Sequence, residues 1–126
     1  YADKYGVKSL HIRIGTATDL PMNERSLSTW ISPRDLAQLC RIGLEHADIH
    51  SDIVYGISDN VRAWYHNANA YRLGYKPQDR AEDHVEIAMK GEAEITRDAV
   101  DRYFQGGPFC SIEYAGAPVP HEGKKA

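Results

Sequence analysis

The sequence predicts an α/β fold whose parallel sheet is incomplete within this chain. Residues 7–15 (VKSLHIRIG) and 52–60 (DIVYGISDN) have strand patterns, and a long helical pattern separates them. Strands joined by a crossover helix pair in parallel. A sheet of two parallel strands leaves its edges and much of one apolar face exposed, so we expect another chain or an upstream part to complete it. We therefore interpret the chain as the carboxyl-terminal part of a larger α/β fold.

The first two elements follow from short local patterns. The opening letters, YADKYG, are typical of the last turn of a helix that is closed by Gly6 as a left-handed cap. In the next segment Leu10, Ile12 and Ile14 alternate with polar residues, which is the period of a half-buried strand.

The segment between the strands predicts the longest helix. Ser32 has the N-cap position, Pro33 the first helical position, and Asp35 lies in the first turn. Apolar or small residues follow at helical spacing: Leu36, Leu39, Cys40, Gly43, Leu44 and Ala47. Because Cys40 lies inside this stripe, we expect it to be a small buried residue.

Three weaker helical patterns follow the second strand. The first contains Trp64, Ala68, Tyr71 and Tyr75 and is ended by Gly74 and Pro77. The second contains Ala81, Val85, Ala88 and Met89. The third is the short segment RDAVDRYFQGG. From Pro108 onward, prolines and glycines without periodicity predict an extended or disordered arm.

Composition limits the classes of function. With 126 residues, of which 42% are hydrophobic and 26% charged, the chain can bury one core. Eighteen acidic and fifteen basic residues give a net charge of −3, and the only basic pair is Lys124 with Lys125, so the sequence argues against nucleic-acid binding.

Cysteine usage and hydropathy predict the compartment. Cys40 and Cys110 form no CxxC motif and no disulfide framework, and the apolar runs are too short to cross a membrane. No signal peptide is visible, so we expect a cytoplasmic protein without membrane partners. The chain begins with Tyr1 rather than Met, and we expect it to start partway through a longer polypeptide.

The loop after the first strand is the first candidate for a ligand site. Such loops hold ligands in α/β proteins, and this one carries Arg25, whose guanidinium suits an anion. A solvated surface charge is the alternative. Trp30 and Trp64 could stack on a sugar ring, although aromatic residues that flank a helix are more often core residues. Trp30 is the better candidate of the two, because it follows this loop directly.

A metal site is the weaker possibility. His46 and His50 are four residues apart, with Asp48 and Asp52 nearby, which could place two imidazoles on one helical face. They fall where the helix should end, and no third ligand has a useful spacing. We therefore predict two solvated histidines and no metal.

Five segments together resemble the carboxyl-terminal half of the extended short-chain dehydrogenases: YADKYGVKSLHIRIG, RSLSTWISPRDLAQL, IVYGISDN, AYRLGYKPQDRAE and RYFQGGPF. Within the epimerase/dehydratase group, the resemblance is greatest to the NAD-dependent uronate dehydrogenases and runs from Tyr1 to about Phe109. It implies a substrate-binding half at 1–109 and an irregular arm at 110–126.

The resemblance also implies a fold and a reaction. The fold is a doubly wound, Rossmann-type parallel sheet whose first half binds NAD and whose second half closes over a sugar acid. The reaction is hydride transfer from C1 of a hexuronic acid, such as glucuronate or galacturonate, to NAD, which gives the aldarolactone. A nucleotide-sugar epimerase or dehydratase is the alternative within the enzyme class, and a non-catalytic association module is the alternative outside it.

The catalytic parts of that family are missing from this sequence. It contains no glycine-rich dinucleotide turn and no Tyr-x-x-x-Lys pair, since Tyr1 and Lys4 are one residue too close. By resemblance, the catalytic pair lies upstream. We therefore predict no catalytic residue in this chain, and no activity for the chain alone.

The substrate-binding positions of the family are present. By resemblance, Arg25 forms a two-pronged contact with the substrate carboxylate, and Thr16 is the small hydroxyl residue near both the nicotinamide of NAD and the sugar. A loop hydroxyl that bonds to its own backbone is the alternative for Thr16. We expect the partner to be a second copy of the chain or a missing amino-terminal half.

Overall fold

The computed structural model describes residues 1–120, which form two compact units, Tyr1–Glu92 and a second unit that begins at Ala93. The first unit contains four strands: β1 (Ser9–Ile14), β2 (Thr16–Ala17), β3 (Trp30–Ile31) and β4 (Ser51–Gly56). Its helices are α1 (Ala2–Tyr5), α2 (Ser26–Thr29), α3 (Pro33–Glu45), α4 (Ala68–Arg72), a 3₁₀ turn at Ala81–His84, and α5 (Val85–Ala93), of which only the last residue belongs to the second unit.

The two main strands form the predicted parallel pair. β1 and β4 are aligned from Ser9 beside Ser51 to Ile14 beside Gly56. Before β1, the chain leaves α1 through Gly6, whose φ of 67° is in the left-handed region that favours glycine. The prediction of an α/β fold with a crossover helix is therefore confirmed.

Helix α3 crosses one face of this sheet and begins as predicted. The hydroxyl of Ser32 accepts a hydrogen bond from the backbone N–H of Asp35, and Pro33 occupies the first turn. Gly43 allows close contact with β1, because a Cβ there would lie 3.2 Å from the Leu10 side chain. The core between helix and sheet consists of Ile31, Leu39, Ile49, Val54, Ala70, Leu73 and Tyr75.

The predicted helical stripe is wrong for three residues, Cys40, Leu44 and Ala47, and Ala47 is exposed and lies beyond the end of α3. Cys40 is exposed, and Leu44 is 88% exposed. Leu36 and Ile42 pack against the core with Leu39 instead. At 100° per residue, Cys40 and Leu44 point well away from Leu39, so the stripe covered a wider arc than the helix buries.

The sequence did not predict β2, β3 or α2. β2 and β3 have two residues each and pair in parallel, and α2 is a single buried turn within the expected loop. Elements this short show no periodicity, so tertiary contacts decide them. A second small core joins this region to the 3₁₀ turn and α5: Leu27, Trp30, Ala81 and Ala88, with Val85 packed against them.

The second unit contains α6 (Ala99–Tyr103) and α7 (Pro108–Ser111). Asp98 caps α6 by accepting a hydrogen bond of 2.8 Å from the N–H of Asp101. The predicted extended or disordered arm from Pro108 onward is wrong for Pro108–Ser111, which form α7, because proline is compatible with the first turn of a helix. Residues 121–126 of the predicted arm lie outside the described residues. Within residues 1–120, no helix has the length and apolar character needed to cross a membrane.

Candidate functional site

The candidate site lies where β1 and β4 end, because the carboxyl ends of parallel strands meet at one edge of a sheet. β1 ends at Ile14, and the next residue, Gly15, lies directly against α2. A Cβ on Gly15 would be 2.6 Å from the Cβ and 2.7 Å from the carbonyl oxygen of Thr29. Only glycine allows this approach, so Gly15 brings α2 and its preceding loop to the strand end.

Thr16 is tied to this helix by hydrogen bonds. Its backbone pairs with Trp30 across β2 and β3, and its hydroxyl lies 2.9 Å from the hydroxyl of Thr29. The Thr29 hydroxyl donates to the carbonyl oxygen of Arg25 at 3.3 Å, so the proton between the two hydroxyls comes from Thr16. A line of contacts therefore joins Thr16 to the backbone of Arg25.

Arg25 is in a tight turn that leads into α2. The backbone N–H of Ser26 donates to the side chain of Asn23 at 3.0 Å, and the N–H of Asn23 donates to the Ser26 hydroxyl at 3.0 Å. From α5, the carboxylate of Glu92 accepts a hydrogen bond from the N–H of Glu24 at 3.1 Å. These reciprocal bonds fix the backbone on both sides of Arg25.

Helix α5 also approaches this loop through Gly91. A Cβ there would lie 2.0 Å from the carbonyl oxygen of Met22, so only glycine permits the contact. Two close backbone contacts therefore position the Arg25 loop: Gly91 of α5 lies against Met22, and Gly15 after β1 lies against Thr29.

The half-buried side chain of Arg25 lies over an aromatic ring. Its guanidinium carbon is 5.7 Å from the centroid of the Trp64 ring, within the range of a cation–π contact. Trp64 belongs to the loop after β4 and is 37% exposed. The structure therefore brings together the two loops that leave the carboxyl ends of β1 and β4.

The expectation that Trp30 stacks on a sugar ring is wrong for this structure. Trp30 is 1% exposed, and its ring packs in the second core and against the edge of the His84 ring. Its indole N–H donates to the carbonyl oxygen of Thr18 at 2.9 Å. Trp30 is thus the core residue that the alternative predicted, and it fixes the loop that carries Arg25.

A buried polar network fixes the loop after β4, and only its helix cap was visible in the sequence. The carboxylate of Asp35, fully buried, accepts hydrogen bonds from the Ser58 hydroxyl and from the N–H groups of Gln78 and Asp79. Ser58 in turn accepts a bond from the N–H of Ser32 at 3.0 Å. Because each buried oxygen of Asp35 has partners, the network holds three chain segments together.

A further anchor acts on the carbonyl oxygen of Trp30. It accepts hydrogen bonds from the N–H of Ser58 at 3.0 Å and from the side-chain amide of Asn60 at 2.8 Å. The segment after β4 therefore docks onto β3 through Ser58 and Asn60, next to the site.

Ionisable groups around this network have structural roles. Burial, with a smaller effect of Asp35, raises the pKa of Tyr75, and its hydroxyl donates to the carbonyl oxygen of Ile57. Tyr75 therefore stays protonated near neutral pH and is unsuited to act as a base. Hydrogen bonds from Arg34 and then from Ser32 lower the pKa of the Asp79 carboxyl.

The two histidines considered for a metal have other contacts. The ring of His50 lies 2.7 Å from the carboxylate of Asp3, and the ring of His46 accepts a bond from the N–H of Asp48. His50 also lies beyond α3, so the two rings do not share a helical face. Among residues 1–120, no cluster of three or more His, Cys, Asp or Glu side chains is arranged to hold a metal ion.

The described residues do not form a cradle for NAD. Dinucleotide phosphates require a glycine-rich turn from a strand into the N-terminus of a helix. Here a single glycine, Gly15, follows β1, and its lack of a side chain allows the close contact with Thr29.

Comparison with known proteins identifies close relatives, although no family model matches the chain. A uronate dehydrogenase of Pseudomonas putida is 39% identical over 110 residues, which cover 87% of this chain and 41% of the relative. An NAD-dependent glucose-6-phosphate dehydrogenase of Haloferax volcanii is 38% identical over 96 residues, which cover 73% of this chain and 35% of the relative.

Solved structures agree with these relatives. A glucuronic acid dehydrogenase from Chromohalobacter salexigens matches with a TM-score of 0.78 and 32% identity, over 86% of this chain and 41% of that one. A mutant of the Agrobacterium tumefaciens uronate dehydrogenase, complexed with NAD, matches with a TM-score of 0.73 and 35% identity, over 86% of this chain and 41% of that one. These matches confirm the predicted part of a Rossmann-type fold. The chain is therefore a homologue of part of the uronate dehydrogenases, spanning about two fifths of the length of the relatives that it matches.

Proposed function

We propose that this chain is the substrate-binding portion of an NAD-dependent uronate dehydrogenase that oxidises a hexuronic acid, such as glucuronate or galacturonate, at C1 to the aldarolactone. The observation that carries the proposal is the fixed position of Arg25 at the carboxyl edge of the sheet. The homology to uronate dehydrogenases supplies the substrate class.

Arg25 binds the carboxylate of the sugar acid in this proposal. A planar guanidinium forms two parallel hydrogen bonds with a carboxylate, a geometry that lysine cannot reproduce. The turn at Asn23–Ser26 and the contact from Glu92 hold its backbone, so little conformational entropy of the backbone is lost on binding. Thr16, two hydrogen bonds from Arg25, contacts the sugar and the nicotinamide side of the site.

The hydride acceptor and the catalytic base come from elsewhere in the enzyme. The described residues have no NAD cradle, and the sequence has no Tyr-x-x-x-Lys pair. We therefore propose that the part of the relatives' length that this chain does not span supplies both. Below, "the completed enzyme" means this chain joined to, or assembled with, that part.

The open edge of β1 supports pairing with an amino-terminal half. Among residues 1–120, β1 has a strand partner on one side only, namely β4. A parallel strand from the missing half would satisfy the backbone groups on the other side. Association with a second copy of this chain is the alternative partner, and a cytoplasmic location stays a prediction from the sequence.

Substitution of Arg25 tests the proposal. In the completed enzyme, Arg25→Ala should raise the Michaelis constant for glucuronate by about 30-fold or more, because breaking a desolvated ion pair costs about 2–5 kcal/mol. Arg25→Lys should recover only part of this loss. The matched control is Arg41→Ala on α3, whose exposed pair with Glu45 should contribute little. An unchanged constant for Arg25→Ala would exclude Arg25 from the site.

The Haloferax relative makes a sugar phosphate the second candidate substrate. Arginine binds phosphate as readily as carboxylate, so Arg25 alone does not separate the two. The completed enzyme should be assayed in parallel with glucuronate, glucose 6-phosphate and a nucleotide-linked hexose. Activity that is highest with glucuronate supports the proposal. Higher activity with glucose 6-phosphate or with the nucleotide-linked hexose would show that the substrate is that sugar and not a uronic acid.

A further inference from the structure

Trp64 is the aromatic residue that lies against the proposed carboxylate-binding arginine. Its ring centroid is 5.7 Å from the guanidinium carbon of Arg25. Contact with an aromatic ring uses the face of the guanidinium plane, whereas bidentate binding of a carboxylate uses its edge. Both contacts can therefore be made at the same time by one arginine.

Other aromatic rings hold the indole of Trp64 from the side of the sheet. The edge of Trp64 meets Tyr65 with centroids 6.3 Å apart and planes at 81°, and Tyr65 stacks on Tyr55 of β4 at 4.2 Å. Tyr55 is fixed by its strand, so two successive ring contacts connect the sheet to Trp64. The indole is thus supported on a rigid element rather than on loop backbone alone.

A carboxylate holds the backbone of the same loop. Glu82, in the 3₁₀ turn before α5, accepts hydrogen bonds from the N–H groups of Val61 at 3.0 Å and Arg62 at 3.2 Å. Near the other end of the same segment, the carboxylate of Glu92 in α5 accepts a hydrogen bond from the N–H of Glu24. One segment therefore fixes both loops, that of Trp64 and that of Arg25, relative to each other.

We propose that Trp64 is a positioning residue that orients the guanidinium of Arg25 for the carboxylate of the substrate. The inference rests on the proposed function, because it assigns a role to Trp64 through Arg25. An arginine side chain has many rotamers. Fixing it in one rotamer when the substrate binds costs conformational entropy, which weakens binding. The contact with the indole restricts those rotamers before the substrate binds.

The test compares Trp64→Leu, Trp64→Phe and Arg25→Ala in the completed enzyme. Trp64→Leu should raise the Michaelis constant for glucuronate about two- to fivefold with little change in kcat, the fold-change that corresponds to an exposed cation–π contact. Trp64→Phe should recover most of the loss, since it keeps a ring face. In the Arg25→Ala background, Trp64→Leu should have no further effect.

Two controls separate positioning from structural damage. Tyr71→Leu removes an exposed ring from α4 and should leave the Michaelis constant unchanged. Glu82→Ala loosens the loop without removing the ring and should change the constant in the same direction as Trp64→Leu. If Trp64→Leu gives little folded protein, Trp64→Phe and Glu82→Ala carry the comparison.

The outcomes also separate this inference from the proposed function. If Arg25→Ala raises the Michaelis constant and Trp64→Leu does not, the positioning role is overturned while the function stands. If Trp64→Leu has its full effect in the Arg25→Ala background, Trp64 acts independently of Arg25, and the inference is again wrong. If Arg25→Ala has no effect, the proposed function fails first.

Discussion

The two outer edges of the β1–β4 sheet differ in whether their backbone N–H and C=O groups have hydrogen-bond partners among the described residues. In a parallel pair, alternate residues of each strand direct both backbone groups to the same side. The N–H of Ser9 bonds to the carbonyl oxygen of His50, so the backbone N–H and C=O groups of Ile53 and Tyr55 in β4 point away from β1. By the same alternation, the backbone N–H and C=O groups of Leu10, Ile12 and Ile14 in β1 point away from β4.

Side-chain amides cover the outer edge of β4. Asn67 accepts from the N–H of Tyr55 at 3.0 Å and donates to its carbonyl oxygen at 2.8 Å. Asn69 donates to the carbonyl oxygen of Ile53 at 2.8 Å. These contacts imitate a neighbouring strand, so β4 is the edge strand of the sheet.

The outer edge of β1 has no such cover among the described residues, where the sheet order contains β4 as its sole neighbour. Several apolar side chains within β1 and just before it in sequence are exposed: Tyr1, Tyr5, Val7 and Ile14. The contrast teaches that the chain satisfies the backbone groups on the outer edge of β4 with its own side chains and leaves the outer edge of β1 open. It locates the surface at which we propose the missing half to pair.

The largest effect is expected from removing the cover of β4. Asn67→Leu should lower the free energy of unfolding by about 2–4 kcal/mol, because it leaves the N–H and C=O of Tyr55 without partners in a part-buried position. Urea unfolding of the isolated chain, followed by circular dichroism, measures the change. Asn69→Ala, which removes one contact to this edge, should cost less, and an equal cost would contradict the importance of the paired amide.

Proline substitution compares the edges directly. Arg13 directs its N–H toward β4, and Ile14 directs its N–H outward. Arg13→Pro should therefore destabilise the isolated chain by about 1–3 kcal/mol, whereas Ile14→Pro should cost clearly less. Arg13→Ala is the control for the loss of the Arg13 side chain, which lies over the ring of Tyr55.

The same pair of variants tests the proposed partner. Ile14→Pro removes an N–H that a strand from an amino-terminal half would need, so it should weaken assembly of the completed enzyme more than it weakens the isolated chain. Co-purification of the two halves measures assembly. Equal assembly of Ile14→Pro and the unaltered chain would argue against pairing at β1.

The smallest effect concerns pH and the carboxylate at the covered edge. The pKa of Asp52 is lowered from 3.8, first by the hydrogen bond from the N–H of His50 and then by Asn69 and Arg72. A lowered pKa stabilises the folded chain above about pH 3.8, and this contribution is lost as the pH falls through the lowered value. The difference in unfolding midpoint between the chain and Asp52→Asn should therefore shrink on acidification from about pH 6 to about pH 3. Asp19→Asn, in an exposed loop, is the control, and a difference that grows in acid would contradict the assignment.

Much of the frame was predictable from local patterns. The Ser32 cap, the alternation of Leu10 and Ile12, and the left-handed Gly6 were each visible within a few residues. The position of Arg25 next to a strand end was also predictable, because a loop follows the alternating segment directly. Its contact with Trp64 was not, since the two residues come from loops that only the pairing of β1 with β4 brings together.

Errors occurred where burial depends on long-range packing. Cys40 and Leu44 fit a helical stripe but lie outside the arc that α3 buries. Trp30 was a candidate ligand from its position after the loop, and its burial follows from packing against Ala81 and Ala88, which are distant in sequence. The roles of Asn67 and Glu82 had no sequence signal, because each bonds to backbone elsewhere in the chain.

The sequence by itself determined the two main strands, the helix between them and their parallel order, the chemistry available at Arg25 and Thr16, and the absence of a dinucleotide turn, because these depend on residue type and near neighbours. The tertiary structure alone decided which tryptophan meets Arg25, which edge of the sheet is covered and which is open. Those outcomes depend on contacts between residues far apart along the chain, and such contacts form only when the sheet, the helix and the loops have packed together.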